Sequence, residues 1–384
     1  MVEVVDLRRS FGRVRALDGA RLAVRAGEVH AIVGENGAGK TTLVSILGGS
    51  LRADGGLVRV HGEPFEPRSP RDAWRAGIGL VYQHFRLVPA LSVLENVALG
   101  VRSRARGWSL PSDEVRQRLG DLMDRTGLRV PVDEPVAGLP VGVRQRVEIL
   151  KLLYRDPRVL VLDEPTAVLT PQETGELLTV LRRLADEGRA VVLIAHKLDE
   201  VLAVADRFTV LRRGRTVLEA ERGRVDAAAL ARAMVGRDVT HPRRAAARPP
   251  GPEVAVLVDA HLHPPAGAPL RGASVRIRRG EIVGVAGVDG NGQEALAALL
   301  AGRAAPDAGE ARLPEGIGFI PGDRAHQGLI GGFDLTENVA LALYDRPPYR
   351  RGPWLVWGAL VRAARALIER FGVRARGPRQ RAAE

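Results

Sequence analysis

The sequence has no cysteine, few lysines and no long apolar run. The absence of cysteine excludes disulfide bridges and cysteine-based metal sites. No stretch approaches the roughly 20 apolar residues of a membrane-spanning helix, and residues 1–10 are charged and lack the apolar core of a secretory signal. Of the 57 basic residues, only Lys40, Lys151 and Lys197 are lysines. A lysine at a defined position is therefore informative in this chain.

The charge is strongly positive. Against 57 lysines and arginines stand 45 acidic residues, which gives a formal net charge of +12. Such a charge can serve an acidic partner, either nucleic acid or an anionic membrane surface. The arginines are scattered and do not form one run, which favours ordinary solvated surfaces. No nucleic-acid partner is expected from the charge alone.

Internal repeats divide the chain. The segment Leu17–Leu43 aligns with Leu270–Leu296 without a gap at an offset of 253. ENVAL occurs at Glu95 and again at Glu337, and IGLVYQ at Ile78 corresponds to IGFIPG further along. A period of this length is too long for a solenoid, so it indicates tandem duplication of one domain.

The domain boundaries follow from the repeats and from composition. We predict a first domain over residues 1–236 and a second over 254–384. Between them, residues 237–253 are rich in proline, arginine and alanine and lack hydrophobic periodicity, which is typical of a linker.

The pattern of apolar segments predicts an α/β fold. Val29–Val33, Val159–Leu162 and Val191–Ala195 are short apolar runs, as buried parallel strands are. Residues from Pro171 to Asp186 carry leucines at helical spacing and predict an amphipathic helix.

The strongest chemical motif is GENGAGKT, Gly34–Thr41, which directly follows an apolar strand. Glycines in such a loop let backbone N–H groups surround phosphates, and the helix that follows directs its positive end at them. Lys40 is expected to bridge the β- and γ-phosphates of ATP, and the Thr41 hydroxyl to hold Mg²⁺.

Three further positions follow strands. VLVLDEP ends in Asp163, expected to bind Mg²⁺, and Glu164, expected to polarise the attacking water. His196 follows a later apolar strand, and Gln83 follows IGLVY. A lone histidine at a strand end is more often structural. Its place after the Asp-Glu strand favours a γ-phosphate contact.

The order of these motifs resembles that of the ABC ATPase family, over nearly the whole chain. LPVGV stands where that family carries its signature, and Phe11 stands where it places an aromatic ring on adenine, although an isolated phenylalanine is more often a core residue. The resemblance implies two tandem P-loop ABC ATPase domains, each with a mostly parallel core sheet and a helical subdomain, the second incomplete. It assigns catalysis to Gln83, Glu164 and His196; Mg²⁺ binding to Thr41, Gln83 and Asp163; the signature to Leu139, Pro140, Val141, Gly142 and Val143; and ATP binding to Phe11, Gly34, Glu35, Asn36, Gly37, Ala38, Gly39, Lys40, Thr41 and Thr42.

A closer resemblance is to importer ATPases with two fused ATP-binding domains that serve ribose-type sugars and nucleosides. VYQHFRLVPALSVLENVALG, from Val81 to Gly100, and GVAGVDGNGQ, from Gly284 to Gln293, are similar to the nucleoside branch. The resemblance implies two membrane permease subunits and an extracytoplasmic substrate-binding lipoprotein as partners. It also implies a peripheral position on the cytoplasmic face of the plasma membrane.

The sequence departs from the family pattern at several positions. Pro140 replaces the signature serine, which removes a hydroxyl and a backbone donor. In the second copy, Gln293 aligns with Lys40 and Glu294 with Thr41, so that loop is not expected to bind nucleotide for hydrolysis. No second signature occurs before Glu384, which indicates a truncated copy or a fragment, with slow ATP hydrolysis by this chain alone.

Two other functions stay open at this point. A soluble tandem ABC ATPase acting on the ribosome or on nucleic acid would fit the positive charge, but that branch usually keeps both phosphate loops and has a long charged helical linker. The other alternative is a fragment that binds ATP with little turnover.

Overall fold

The computed structural model describes most of the chain as two compact units, residues 1–245 and 246–384. It describes every residue except 13, 84, 100–111, 196, 237–248, 250, 266, 288–289, 323, 374 and 384. Most of the predicted linker lies outside the described residues, so the predicted domain boundaries stay predictions.

The first unit combines ten strands with eight α-helices in its described residues. The strands are β1 (Val2–Phe11), β2 (Val14–Val24), β3 (Val29–Val33), β4 (Gly55–Val60), β5 (Glu63–Pro64), β6 (Ile78–Val81), β7 (Val159–Asp163), β8 (Ala190–Ile194), β9 (Arg207–Arg212) and β10 (Arg215–Glu221). The helices are α1 (Lys40–Leu47), α2 (Pro70–Arg75), α3 (Val93–Ala98), α4 (Ser112–Thr126), α5 (Val141–Leu153), α6 (Pro171–Asp186), α7 (Leu198–Val204) and α8 (Ala227–Val235), with a 3₁₀ turn at Val136–Gly138.

The core of the first unit is a six-stranded sheet in the order β10-β9-β3-β8-β7-β6. All neighbouring strands from β9 to β6 are parallel, and β10 is antiparallel to β9. Every residue of β3, β7 and β8 is buried, because both faces of the sheet are covered. Along β7, Leu160 and Leu162 face one apolar cluster, whereas Val159 and Val161 face another.

Each face of this sheet has its own covering layer. One apolar cluster includes residues of α3, α4, α5 and α6. The other includes residues of α1 and of a second, antiparallel sheet in the order β2-β1-β4-β5. Helix α6 has the bounds that the sequence predicts, since Thr170 and Glu173 form a capping box at its start and Pro171 occupies its first turn.

The parallel strands bring their carboxyl ends to one edge of the sheet. β3 leads to the glycine-rich loop, β7 ends in Asp163, β6 is followed by Gln83, and β8 lies between β3 and β7. Such an edge is where ligands bind in open α/β sheets. The fold therefore gathers most of the predicted site residues there.

The second unit is built differently in its described residues. Its strands are β11 (Glu253–Leu262), β12 (Leu270–Arg278), β13 (Ala308–Arg312), β14 (Arg350–Arg351) and β15 (Trp354–Leu355), and its helices are α9 (Gln293–Leu300), α10 (Leu335–Leu343) and α11 (Trp357–Phe371), with a π-helical turn at Arg324–Gly328. The strands pair only antiparallel, as β12-β11-β13 and as the β14-β15 hairpin.

The repeat predicts a parallel core sheet in both units. Among the described residues, that sheet is present only in the first unit. Residues 281–287, which align with β3, form no strand, and Ile282 is fully exposed. Ile320, in the segment that aligns with β6, is 86% exposed. In the first unit, β3 lies between β8 and β9, and β6 pairs with β7. Within the described part of the second unit, no strand plays those roles, and a strand needs such partners to form.

The repeated ENVAL motif has a local structural explanation. Asn96 accepts a hydrogen bond from the Val88 N–H (2.7 Å) and donates to the Val88 carbonyl (3.0 Å). Asn338 does the same for Ile330, at 2.9 and 3.1 Å. The glutamate of each motif completes a capping box at the start of α3 or α10. None of the described helices is both long and apolar enough to cross a membrane.

Candidate nucleotide site

The glycine-rich loop Gly34–Thr41 joins β3 to α1. Gly39 has φ 104°, and a Cβ there would lie 2.5 Å from the carbonyl oxygen of Ala16. A Cβ on Gly34 would collide with the carbonyl oxygen of Leu211. Glycine is therefore required at both positions by close backbone contacts, and at Gly39 by the left-handed conformation as well. The loop is held tightly against its neighbours, as a phosphate cradle must be.

The Lys40 side chain folds back over this loop. Its Nζ donates to the carbonyl oxygens of Gly34 (2.7 Å) and Glu35 (3.1 Å), and the residue is 6% exposed. Burial lowers the pKa of Lys40, and the carboxylates of Glu164 and Asp163 only partly offset that effect. A buried cation with two nearby carboxylates is an arrangement suited to phosphate and a divalent metal.

The remaining residues of the loop differ in whether they line the cleft. The Ala38 N–H donates to the Glu35 carbonyl (3.1 Å), and the Ala38 carbonyl accepts from Gly214 (3.0 Å). Asn36, Thr41 and Thr42 line the cleft described below, whereas Ala38 is buried. Ala38 thus serves the loop's own fold.

Asp163 and Glu164 stand at the end of β7. Asp163 is 2% exposed. Glu164 has φ 50°, a left-handed conformation that costs a non-glycine residue about 1–3 kcal/mol. Its N–H donates to the Ile194 carbonyl at the end of β8, over 3.0 Å. This strained turn directs the Glu164 side chain into the cleft, where it is part of the lining.

Gln83 joins these groups from the neighbouring strand. Its Nε2 donates to Oε2 of Glu164 over 3.2 Å. Both residues line the same cleft as Lys40. The structure therefore brings together three side chains that are far apart in sequence.

The cleft itself has a volume of about 460 Å³. One wall is formed by Phe11, which is 45% exposed and has the Arg9 guanidinium 5.0 Å from its ring centre. Val14, Arg15 and Ala16 also line the cleft. Sequence reasoning missed these three residues, which begin β2 three positions after Phe11.

The signature segment Leu139–Val143 lies outside this lining. Leu139 is buried, Pro140 is the N-cap of α5, and Val141–Val143 form its first turn. A Cβ on Gly142 would lie 2.8 Å from Oε1 of Glu173. The signature is therefore not part of the cleft that the phosphate loop lines in the described first unit. His196 lies outside the described residues.

Comparison with known proteins finds close relatives of the chain. The ABC transporter family profile matches residues 17–167. The nucleoside import ATP-binding protein NupA of Lactococcus lactis is 40% identical over 392 residues, which is 98% of this chain and 77% of that protein. The ribose import ATP-binding protein RbsA 1 of Rubrobacter xylanophilus is 41% identical, over 97% of this chain and 76% of its own.

The chain belongs to the ABC transporter family of ATP-binding proteins.

Solved structures of ABC cassettes agree. A nucleotide-free ATP-binding cassette from an ABC transporter is 26% identical, with a TM-score of 0.53 over 58% of this chain and 91% of that cassette. The dimeric cassette MJ0796 bound to ADP and Pi is 26% identical, with a TM-score of 0.51 over 58% of this chain and 98% of its own. The chain is thus an ABC-type ATPase, and the import ATP-binding proteins that it resembles imply membrane permeases as partners.

Proposed function

We propose that the first unit binds Mg-ATP in this cleft and that its hydrolysis drives import of a nucleoside or simple sugar. The observation that carries the proposal is the meeting of Lys40, Gln83 and Glu164 at one edge of a parallel sheet, around one cleft. Lys40 and the carboxylates have the opposite charges that phosphate and metal binding require.

The phosphates of ATP are held by the loop and by Lys40. Backbone N–H groups around Gly37 and Gly39 and the positive end of α1 face the negative charge. The Lys40 ammonium now bonded to Gly34 and Glu35 adds a point charge to the β- and γ-phosphates. Phe11 offers its exposed ring to the adenine.

A magnesium site fits the donors that lie near the loop. The Thr41 hydroxyl, the Gln83 amide oxygen and the Asp163 carboxylate supply oxygen atoms, which Mg²⁺ prefers. Among the described residues, no group of three or more histidine, cysteine or acidic side chains is placed so that it could hold a metal ion. A site with one or two carboxylates, completed by substrate phosphates, matches that composition. When bound, Mg²⁺ neutralises charge on the phosphates.

Glu164 is the proposed general base. Its carboxylate lies in the cleft and accepts a proton from the attacking water, while the Gln83 amide holds that carboxylate in place. His196 is proposed to contact the γ-phosphate, from the sequence pattern alone. The signature, Leu139–Val143, is proposed to act on nucleotide held by another cassette, because it lies outside this cleft.

The names of the relatives support a proposal for the substrate and the partners. Four relatives, named for nucleoside, glucose, guanosine and ribose import, are 38–41% identical to this chain. We therefore infer a nucleoside or simple sugar as cargo, two permease subunits, a substrate-binding lipoprotein and a peripheral position on the cytoplasmic face of the membrane.

The proposed permease contact is the segment from Gln83 to Gly100. Part of it borders a groove of about 180 Å³ that is lined by Trp74, Tyr82 and Arg86. Crosslinks from this segment to a permease in an assembled complex support the contact. Crosslinks found only elsewhere on the chain contradict it.

The hydrolytic role is tested with Glu164→Gln. We expect Mg-ATP affinity to stay within about twofold, while single-turnover hydrolysis falls by about a hundredfold or more, since a general base contributes that much. Glu114→Gln, which removes a carboxylate from the exposed side of α4, is the matched control. Equal hydrolysis by the two variants contradicts the assignment of Glu164.

A further inference from the structure

The backbone of Arg86 is bound on both sides by one helix. Its N–H donates to Oε1 of Glu148 (2.5 Å), and its carbonyl accepts from Nζ of Lys151 (2.7 Å). Glu148 and Lys151 are three residues apart on α5, so they share one face of that helix. We call this pair of contacts the α5 clamp.

The two charged groups of the clamp differ in exposure, since Glu148 is buried and Lys151 is half-buried, and both border the groove lined by Trp74 and Tyr82. Glu148 is 7% exposed. Burial raises the pKa of Glu148 and lowers the pKa of Lys151. The Arg86 guanidinium lies 3.5 Å from the Tyr82 ring centre, which adds a third attachment. Burying a carboxylate is unfavourable, so packing alone does not explain a glutamate at position 148.

The clamp lies close in sequence to Gln83, a residue that lines the cleft. Arg86 is three residues after Gln83, which is a chain reach of about 10 Å at most. Gln83 in turn holds the Glu164 carboxylate over 3.2 Å. Two hydrogen bonds from α5 thus hold the chain three residues from Gln83.

The asparagine of the ENVAL motif provides a contrast to the clamp, and we call its pair of hydrogen bonds to one backbone residue the asparagine device. Asn96 holds Val88 in the first unit, and Asn338 holds Ile330 in the second. The second unit keeps this device although Gln293 replaces the phosphate-loop lysine. The device therefore serves the local fold, whether or not a working phosphate loop is present.

We propose that Glu148 and Lys151 are positioning residues for ATP hydrolysis, which fix Gln83 against Glu164 by clamping the backbone of Arg86. The inference rests on the proposed function of the cleft. Neither residue lines the cleft, so both act through Gln83. A misplacement of about 1 Å at a reacting centre can reduce a rate a hundredfold.

The test is a double-mutant cycle between Glu148→Ala and Gln83→Ala, measured as the single-turnover rate of ATP hydrolysis with protein in excess. We expect each variant to lose about tenfold to a hundredfold. The double variant should lose no more than the larger single loss, because both changes remove the same arrangement. Glu148→Gln keeps an acceptor oxygen for the Arg86 N–H and should retain the rate within about twofold to threefold. Lys151→Met should behave like Glu148→Ala.

Arg146→Ala is the matched control, because Arg146 lies on the same helix but pairs with Glu173 on α6. The fold-losses in rate of Arg146→Ala and Gln83→Ala should multiply in the double variant, because the two residues act independently. Losses from Glu148→Ala and Gln83→Ala that multiply, or a Glu148→Ala rate equal to that of Arg146→Ala, overturn the proposal.

Hydrogen exchange separates this proposal from the function of the cleft. Glu148→Ala should speed exchange of the Arg86 amide without nucleotide, whereas Arg146→Ala should not. Unchanged Arg86 exchange in Glu148→Ala defeats the clamp even if ATP binds as proposed. If Glu148→Ala speeds Arg86 exchange but Lys40→Ala leaves ATP affinity unchanged, the proposed function of the cleft is wrong. The clamp is then a structural contact without a catalytic role.

Discussion

Lys40 and Gln293 occupy the same place in the two units. Each is the first residue of an eight-residue helix, and each follows a glycine in the left-handed region, Gly39 at φ 104° and Gly292 at φ 86°. The turn that presents a lysine to phosphate is thus preserved in the second unit, whereas the cation is not. Glutamine is neutral, and Glu294 beside it adds negative charge to that helix start.

We therefore predict that Gln293→Ala leaves Mg-ATP affinity within about twofold of the native value. The reason is that the loop around Gln293 offers no cation to the phosphates, so the variant removes no phosphate contact. Isothermal titration of the purified chain measures it. A large loss of affinity would show that the second unit holds a working nucleotide site.

Phe11→Ala should weaken ATP binding roughly 5- to 150-fold. Stacking of a base on an aromatic ring contributes about 1–3 kcal/mol, and 1.4 kcal/mol corresponds to a factor of ten. The exposed ring on the cleft wall is the surface that provides it. Titration with ATP measures the effect.

Tripolyphosphate provides the control for this prediction. It carries the phosphates without the base, so its affinity should be equal in the native chain and in Phe11→Ala. A parallel loss for both ligands would mean that Phe11 supports the loop and does not stack on adenine.

Two glycines of the phosphate loop allow a matched comparison of how an added Cβ changes the free energy of unfolding. A Cβ on Gly37 (φ 79°) has no neighbour within 4 Å, whereas one on Gly39 would also meet the Ala16 carbonyl at 2.5 Å. Gly37→Ala should cost about 1–2 kcal/mol, from the left-handed backbone alone. Gly39→Ala should cost clearly more. The free energy of unfolding of the first unit in urea measures both, and equal costs would contradict the described contact.

Much of the first unit could be predicted from the sequence. The buried strands β3, β7 and β8 are continuous apolar runs, and α6 has a capping box and a proline at its start. These signals are local. The loop Gly34–Thr41 and the pair Asp163–Glu164 are similarly readable, because each motif directly follows such a strand.

Other features depend on contacts between distant segments. IVGVA in the second unit is as apolar as VHAIV in β3, yet it forms no strand, because strand formation depends on neighbours that the local sequence does not specify. The α5 clamp joins Arg86 to a residue 62 positions away. Sequence spacing gives no sign of which loop a helix will hold.

Each chain is expected to bind one Mg-ATP, at the loop that contains Lys40. Isothermal titration of native chain, Lys40→Ala and Lys197→Ala tests it most directly, since Lys197 is another of the three lysines and lies outside the cleft lining. We predict one site in the native chain and in Lys197→Ala, and a loss of at least about a hundredfold in affinity for Lys40→Ala, because charge-assisted bonds to phosphate are strong. Native affinity in Lys40→Ala, or two sites per native chain, would contradict a single ATP site at this loop.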